Sequence, residues 1–347
     1  MAFDRDKAAV RGAVARDPAF AGLDLSRALA DMEQAATRDA FLLAAMRIMA
    51  RAGNGHSRVI PNACISVFPV RIVARSPGFA VPGDGAWHRV HTVNGTAVAD
   101  IFEPLRPWLA GTPARQTVIG AMLLAWPACV GARAVYGTEP GTLTCGSNDL
   151  VPAHTLYPRS ERGMIGDDDH ALPDGAVVTW AAPIWRVRVA DLGDRMPDLS
   201  TVAALIDTRP DANLLIDLRG NPGGDFTRAL PMLAQLEAIW RGTRCVVVVD
   251  RFTFSAAIVL AALLVHRLGA RLVGEEMGDG LRFWAEGDTD PLPDSGAHLR
   301  WSSGWHNWET GQGNDLTPDE IARHMVGVGQ PRVVPGGIED AILMATV

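Results

Sequence analysis

Between residues 185 and 273 the chain repeats one pattern: a short, almost wholly apolar run, a turn, then a longer stretch with apolar residues at helical spacing. The apolar runs fall at 185–189, 213–218, 245–249 and 270–273, and the helical stretches at 199–206, 227–240 and 256–268. A strand that is apolar on both faces must be covered on both, and parallel strands need a crossover long enough to hold a helix. The pattern therefore predicts an α/β layer, a sheet with helices packed on it. In such layers the reacting groups gather where strands end and helices begin.

The rest of the chain is organised differently. Leu23, Leu25, Leu29 and Met32, then Phe41, Leu42, Met46 and Met49, recur at helical spacing, with Thr37 or Asp39 placed to open the last helix. The glycines of Gly53-Asn54-Gly55-His56-Ser57 stop that helix, and residues 65–73 read as a strand. Residues 87–93 alternate like a strand that ends in an Asn94-Gly95 turn, and 101–109 reads as a helix. Residues 138–174 are rich in Gly, Pro, Asp and Ser, which places a boundary near 178. Three units are expected: a helical unit over 1–55, an α+β module with linker over 56–177, and the α/β core over 178–347.

Composition excludes several classes. The formal charge of -7 comes with no Lys/Arg cluster interleaved with aromatics, which argues against a nucleic-acid partner. The N-terminus mixes charges into its apolar residues and shows neither a signal peptide nor a membrane segment. The cytoplasm is the expected compartment, with secretion or the periplasm the alternative if a leader has been removed. Cys64, Cys129, Cys145 and Cys245 lack CxxC spacing and sit far from histidine clusters, so no metal site is expected. Cys245, opening a strand, reads as an inert core thiol, and a Cys129–Cys145 bridge has nothing to support it.

Two strand-to-helix junctions stand out. In the first, Leu214-Leu215-Ile216-Asp217-Leu218 runs into Arg219-Gly220-Asn221-Pro222-Gly223-Gly224. Glycines let the backbone approach a ligand and aim N–H groups at it, which is what an oxyanion needs, although a plain left-handed turn before a helix has the same composition. In the second, Val246-Val247-Val248-Val249-Asp250 leads through Phe254 to Ser255, which opens an apolar helix at Ala256-Ala257. A serine there is ordinarily a helix N-cap. It also stands where the helix dipole would stabilise an alkoxide, with the Ala256 N–H as a second donor.

Together with Arg271-Leu272-Val273-Gly274-Glu275, these two blocks resemble the core of the C-terminal-processing (tail-specific) serine peptidases, the family that includes the tricorn core. The resemblance covers roughly residues 180–280 and implies a ClpP/crotonase-like core. It also implies Ser255 as nucleophile and the amides of Gly223 or Gly224 and of Ala256 as oxyanion hole. The lysine that the bacterial processing branch places just after its Val-Gly-Glu is missing, since the chain reads Gly274-Glu275-Glu276-Met277-Gly278. Gly53-Asn54-Gly55-His56-Ser57 is similar to the Asp-Gly-His-Thr motif of the tricorn-like and interphotoreceptor-retinoid-binding-protein-like branch. That likeness implies His56 as general base, a role suited to imidazole. The same relatives imply a downstream glutamate as third member: Glu309 is the first candidate, with Glu275 and Glu276 behind it.

Thr92-Val93-Asn94-Gly95 resembles the turn of the peptide-binding PDZ modules of these peptidases, in a degenerate setting. Phe283, Trp284, Trp301, Trp305 and Trp308 could line an apolar pocket but read better as packing. The expected activity is peptide-bond hydrolysis through an acyl-enzyme on a peptide or protein substrate, with no cofactor. Homo-oligomer formation is left open. Two rivals share the architecture: a non-catalytic binder of apolar ligands or peptides, and an acyl-CoA enzyme of the crotonase type, which needs no serine nucleophile.

Overall fold

The computed structural model describes residues 2–139, 141–157, 178–193 and 199–346. Of the stretch expected to hold the linker, residues 140 and 158–174 lie outside them. The chain divides into two compact units, residues 1–166 with 284–303, and residues 167–283 with 304–347. The helical N-terminus and the α+β module thus share one unit, and a segment of the expected core, 284–303, is counted with them.

In the first unit, helices α1 (Asp4–Arg16), α2 (Ser26–Glu33) and α3 (Arg38–Ala50) pack through Val10, Met32, Phe41, Leu42 and Met49, all fully buried. The Thr37 hydroxyl accepts the Ala40 N–H and starts α3. After the glycine turn comes β1 (Arg58–Ile60), whose residues pair antiparallel with His298, Leu299 and Arg300. The single strand expected over 65–73 is instead two short ones, Ser66–Val67 and Val73–Arg75, with Pro69 between them, which has no N–H for a ladder. The strand Trp87–Val93 forms as expected, and its turn puts Asn94 at φ 53 and Gly95 at φ 78, the two positive angles of a type I′ hairpin. The helix expected over 101–109 starts earlier, Val98–Leu105, and tightens to a 3-10 turn at Arg106–Trp108 around Pro107.

The second unit carries a six-stranded sheet. Its strands run in chain order: β2 (Val178–Ala181), β3 (Ile184–Arg188), β4 (Asn213–Asp217), β5 (Cys245–Val249), β6 (Arg271–Gly274) and β7 (Val333–Pro335). All pairs after the antiparallel first one are parallel. Helices α4 (Leu199–Asp207), α5 (Leu230–Ile239) and α6 (Ala256–Leu268) cross between successive strands. With no reversal of strand order, right-handed crossovers put all three on one face. The other face is closed by α7 (Ile338–Thr346), whose Ala341 and Ala345 pack on Ile184, Leu215, Val246, Val248 and Val273.

Boundaries of β5 and α6 fall where the sequence predicts them. The helix expected over 227–240 is broken: Phe226–Ala229 is 3-10, and α5 starts at Leu230 because Pro231 can occupy only a first helical turn. Strand β7 and helix α7 have no strong sequence signal and were not anticipated. All four cysteines are free thiols, and burial pushes the Cys245 thiol up to about 12, as suits an inert core residue.

Candidate active site

The C-terminal ends of β3, β4 and β5 form one tied cluster of loops. Leaving β4, the chain turns at Gly220, whose N–H donates to both oxygens of Asp250 at 3.0 and 3.1 Å. Asp250 also accepts the N–H groups of Phe252 and Thr253, which folds the loop after β5 back on itself. Burial lifts the Asp250 carboxyl above the usual carboxylate range, and those three backbone donors offset part of the rise. Thr253 Oγ1 donates to the Leu218 carbonyl at 3.0 Å and ties the two loops together.

Asn221, fully buried, joins all three loops. Its Nδ2 donates to the Val189 carbonyl at 2.8 Å, its Oδ1 accepts the Gly223 N–H at 2.9 Å, and its carbonyl accepts the Phe254 N–H at 3.0 Å. Neither Asn221 nor Asp250 was singled out from sequence. The signal was there to read: an asparagine two residues before a glycine can accept that glycine's N–H in an Asx turn, and an aspartate closing a strand can cap the turn that follows.

These ties bring Ser255, Gly223 and Ala256 together. Ser255 has φ 55 and ψ -125, a conformation that costs a non-glycine residue on the order of 1–3 kcal/mol. Its hydroxyl makes no capping hydrogen bond to α6, so the ordinary role of a serine at that position is not the one it fills. A Cβ on Gly223 would stand 2.8 Å from the Ser255 Cβ and 2.9 Å from the Ala256 nitrogen. Only glycine allows that approach, and only glycine is at ease at φ 100. Gly224, at φ 134, lies against the backbone of Leu192, with which it forms a parallel bridge.

The backbone donors divide accordingly. Gly223's N–H is engaged by Asn221, whereas those of Gly224 and Ala256 have no hydrogen-bond partner among the described residues. The Ala256 N–H is the first donor of α6, a 13-residue helix whose dipole favours negative charge at that end.

Glu309 belongs to the same unit as Ser255. Its carboxylate is 3.4 Å from Arg282 Nε and accepts from Gln330 Nε2 at 3.3 Å. Glu275 is held by Arg251 Nε at 2.8 Å, and Glu276 is exposed. The neighbouring aromatics are packing: Trp308 is fully buried edge-on to Phe226, and His306 stacks on Phe283 with ring centroids 4.9 Å apart. Beside the cluster, Asp217 is gripped by Arg219 through Nε at 2.9 Å and Nη2 at 2.8 Å, with Arg188 Nη1 also at 2.9 Å.

His56 belongs to the other unit, on the turn between α3 and β1, and is only 1% exposed. Arg58 Nη1 donates to the Gly55 carbonyl at 2.6 Å, and the side chains of Asn54 and Ser57 are both buried and bonded to each other at 2.9 Å. No group of His, Cys, Asp and Glu suited to hold a metal ion occurs among the described residues. No helix among them is long and apolar enough to cross a membrane.

The second unit thus carries a strained serine at a strand-to-helix junction of its sheet, beside a glycine turn. The fold is similar to that of mature CPAF complexed with lactacystin, at 13% identity over 99% of this chain and 95% of that one, with a TM-score of 0.61. A CPAF point mutant is similar at 13% identity over 86% and 88% of the two chains, with a TM-score of 0.59. The photosystem II D1 C-terminal processing protease matches at 17% identity over 99% and 96%, with a TM-score of 0.43. No protein-family profile and no curated protein sequence matches the chain.

Proposed function

We propose that this protein is a serine endopeptidase that hydrolyses peptide bonds through an acyl-enzyme on Ser255, in the histidine-dependent manner of the tricorn-like branch. The observation that carries the proposal is the backbone of Ser255, strained and uncapped at a helix N-terminus, against a glycine that leaves two N–H donors unengaged. Strained backbone conformations held by surrounding hydrogen bonds cluster at functional sites, which supports this reading. The CPAF-like fold and the sequence blocks around Ser255 support the same conclusion.

In this mechanism an imidazole nitrogen of His56 takes the Ser255 hydroxyl proton as Oγ attacks the peptide carbonyl carbon. The tetrahedral oxyanion accepts hydrogen bonds from Gly224 and Ala256. Gly223 contributes by lacking a side chain rather than by its N–H. The imidazolium gives its proton to the leaving amine, and water, deprotonated by the same imidazole, cleaves the acyl ester. Glu309 orients the imidazole and stabilises its charge. No cofactor enters any step.

A fluorophosphonate probe with peptide mapping tests this. Ser255 is expected to carry the label in folded protein, Ser255→Ala to carry none, and His56→Ala to label about 10²–10⁴ times more slowly. Glu309→Gln should slow labelling at least tenfold, and an unchanged rate would transfer its role to Glu275 or Glu276. Absence of Ser255 labelling in the folded wild type, or a His56→Ala rate equal to wild type, would refute the mechanism.

A further inference from the structure

A buried carboxylate in the first unit has no part in the mechanism above. Asp17, 2% exposed, stands between α1 and the 3-10 turn Pro18–Phe20. One oxygen, Oδ1, accepts the Ala19 N–H at 2.9 Å, which is all that capping the turn requires. The other, Oδ2, accepts the Ser57 hydroxyl at 2.5 Å and the Ser302 N–H at 3.0 Å. Asn54 Nδ2 then donates to Ser57 Oγ at 2.9 Å and to Ser302 Oγ at 3.1 Å. Asn54 is 3% exposed, and Ser57 and Ser302 are fully buried.

His56 lies between two members of this network. Its turn contains Gly53, at φ 62, and Gly55, two residues with the least backbone preference of any. Such a turn does not by itself hold an imidazole in one orientation, yet a general base must be held to within a fraction of an ångström. Asn54 is fixed on one side of the histidine by donating to the Ser57 and Ser302 hydroxyls, and Ser57 on the other by donating its hydroxyl to Asp17, which also accepts the Ser302 N–H. On Gly55 itself, Arg58 holds the carbonyl, and the Cα stands 3.0 Å from where a Cβ of Gly111 would be.

A neutral acceptor would satisfy the Ala19 N–H equally well. A carboxylate buried this deeply is costly unless its charge is used, and a hydroxyl donating to a charged oxygen makes a shorter and roughly twice as strong a bond as one between neutral groups. We propose that Asp17, through the Ser57 and Asn54 side chains, is the positioning group of the His56 turn, so that the N-terminal segment fixes the geometry of the base. The proposal rests on the assignment of His56 as base.

The test uses the full chain labelled with ¹³C-histidine, with the His56 ring signal assigned by its loss in His56→Ala. Wild type and Ser57→Thr, which keeps the hydroxyl, should show one sharp His56 signal and the same fluorophosphonate labelling rate. Ser57→Ala should show a broadened or doubled signal, with the labelling rate down at least tenfold and the probe's apparent Kd unchanged. Asp17→Asn should behave like Ser57→Ala. A Ser57→Ala protein with an unaltered His56 signal and a wild-type rate would overturn the proposal. If that variant does not fold, Asn54→Ala, which leaves the Asp17–Ser57 bond in place, decides by the same two readouts. If Ser255 is not labelled even in wild type, the peptidase assignment fails, and the ring signal alone decides whether Asp17 positions His56.

Discussion

Replacing Gly223 with alanine adds one methyl group at the point where the glycine turn meets the serine junction. Its Cβ would lie 2.7 Å from the Phe254 carbonyl oxygen, 2.8 Å from the Ser255 Cβ and 2.9 Å from the Ala256 nitrogen, at a residue with φ 100. Two of those three atoms are backbone, so no side-chain rotation relieves the contact. The positive φ costs about 1–2 kcal/mol, and the overpacking adds about 1–3 kcal/mol. Gly269 supplies an internal control: it ends α6 at φ 63 with nothing within 4 Å of its would-be Cβ, so Gly269→Ala should carry the conformational cost alone. Urea unfolding followed by tryptophan fluorescence, with ten tryptophans as reporters, should place Gly223→Ala about 1–3 kcal/mol below Gly269→Ala. Fluorophosphonate labelling should fall at least a hundredfold in Gly223→Ala and stay at the wild-type rate in Gly269→Ala. Equal stabilities, or a Gly223→Ala protein that labels normally, would refute the claim that this glycine is required by close approach to Ser255.

Two other outcomes test the same unit. Ser255→Gly should be more stable than Ser255→Ala by about 1 kcal/mol, since glycine accepts φ 55 where alanine does not, and neither should label; equal stabilities would mean the junction is not strained. Burial alone would raise the Asp217 carboxyl, but hydrogen bonds from Arg219 and the charges of Arg188 and Arg219 outweigh it and hold it below the usual range. Its stabilising contribution is therefore present above about pH 4 and is lost as pH falls through the lower folded-state value. Asp217→Asn should cost roughly 3 kcal/mol at pH 7, because two mostly buried guanidinium groups lose their partner, and less at pH 3. A loss that does not shrink on acidification would refute the linkage.

Much of the second unit was legible because its signals are local. A run such as Cys245-Val246-Val247-Val248-Val249 can be buried on both sides only in a covered sheet, and it forms β5 as expected. The helix 256–268 ends at Gly269 for the reason glycine ends helices generally, a positive φ at no steric cost. Where local pattern failed, proline was usually the cause: Pro231 split one helix and Pro69 interrupted one strand, each by removing an N–H that the ladder or the helix needed. Strand β7 is a three-residue edge whose formation depends on β6 and α7 being present, and nothing within Val333–Pro335 announces that.

The α/β alternation, the glycine turn and the serine that opens α6 could all be read from the chain, because each depends on adjacent residues. What the serine does with its backbone depends on contacts between distant ones. The value of φ at Ser255 is set by Asn221 and Asp250 holding loops some 30 residues apart, at distances that no local pattern encodes. The fold likewise settles which glycine N–H remains free, since Asn221 takes that of Gly223. The convergence of Ser57 and Ser302 on the Asp17 carboxylate, with Asn54 bridging the two serines, was equally invisible, with partners up to 285 positions apart. Composition and periodicity register which faces are buried, whereas a buried hydrogen bond between distant residues leaves no periodic trace in either partner's sequence.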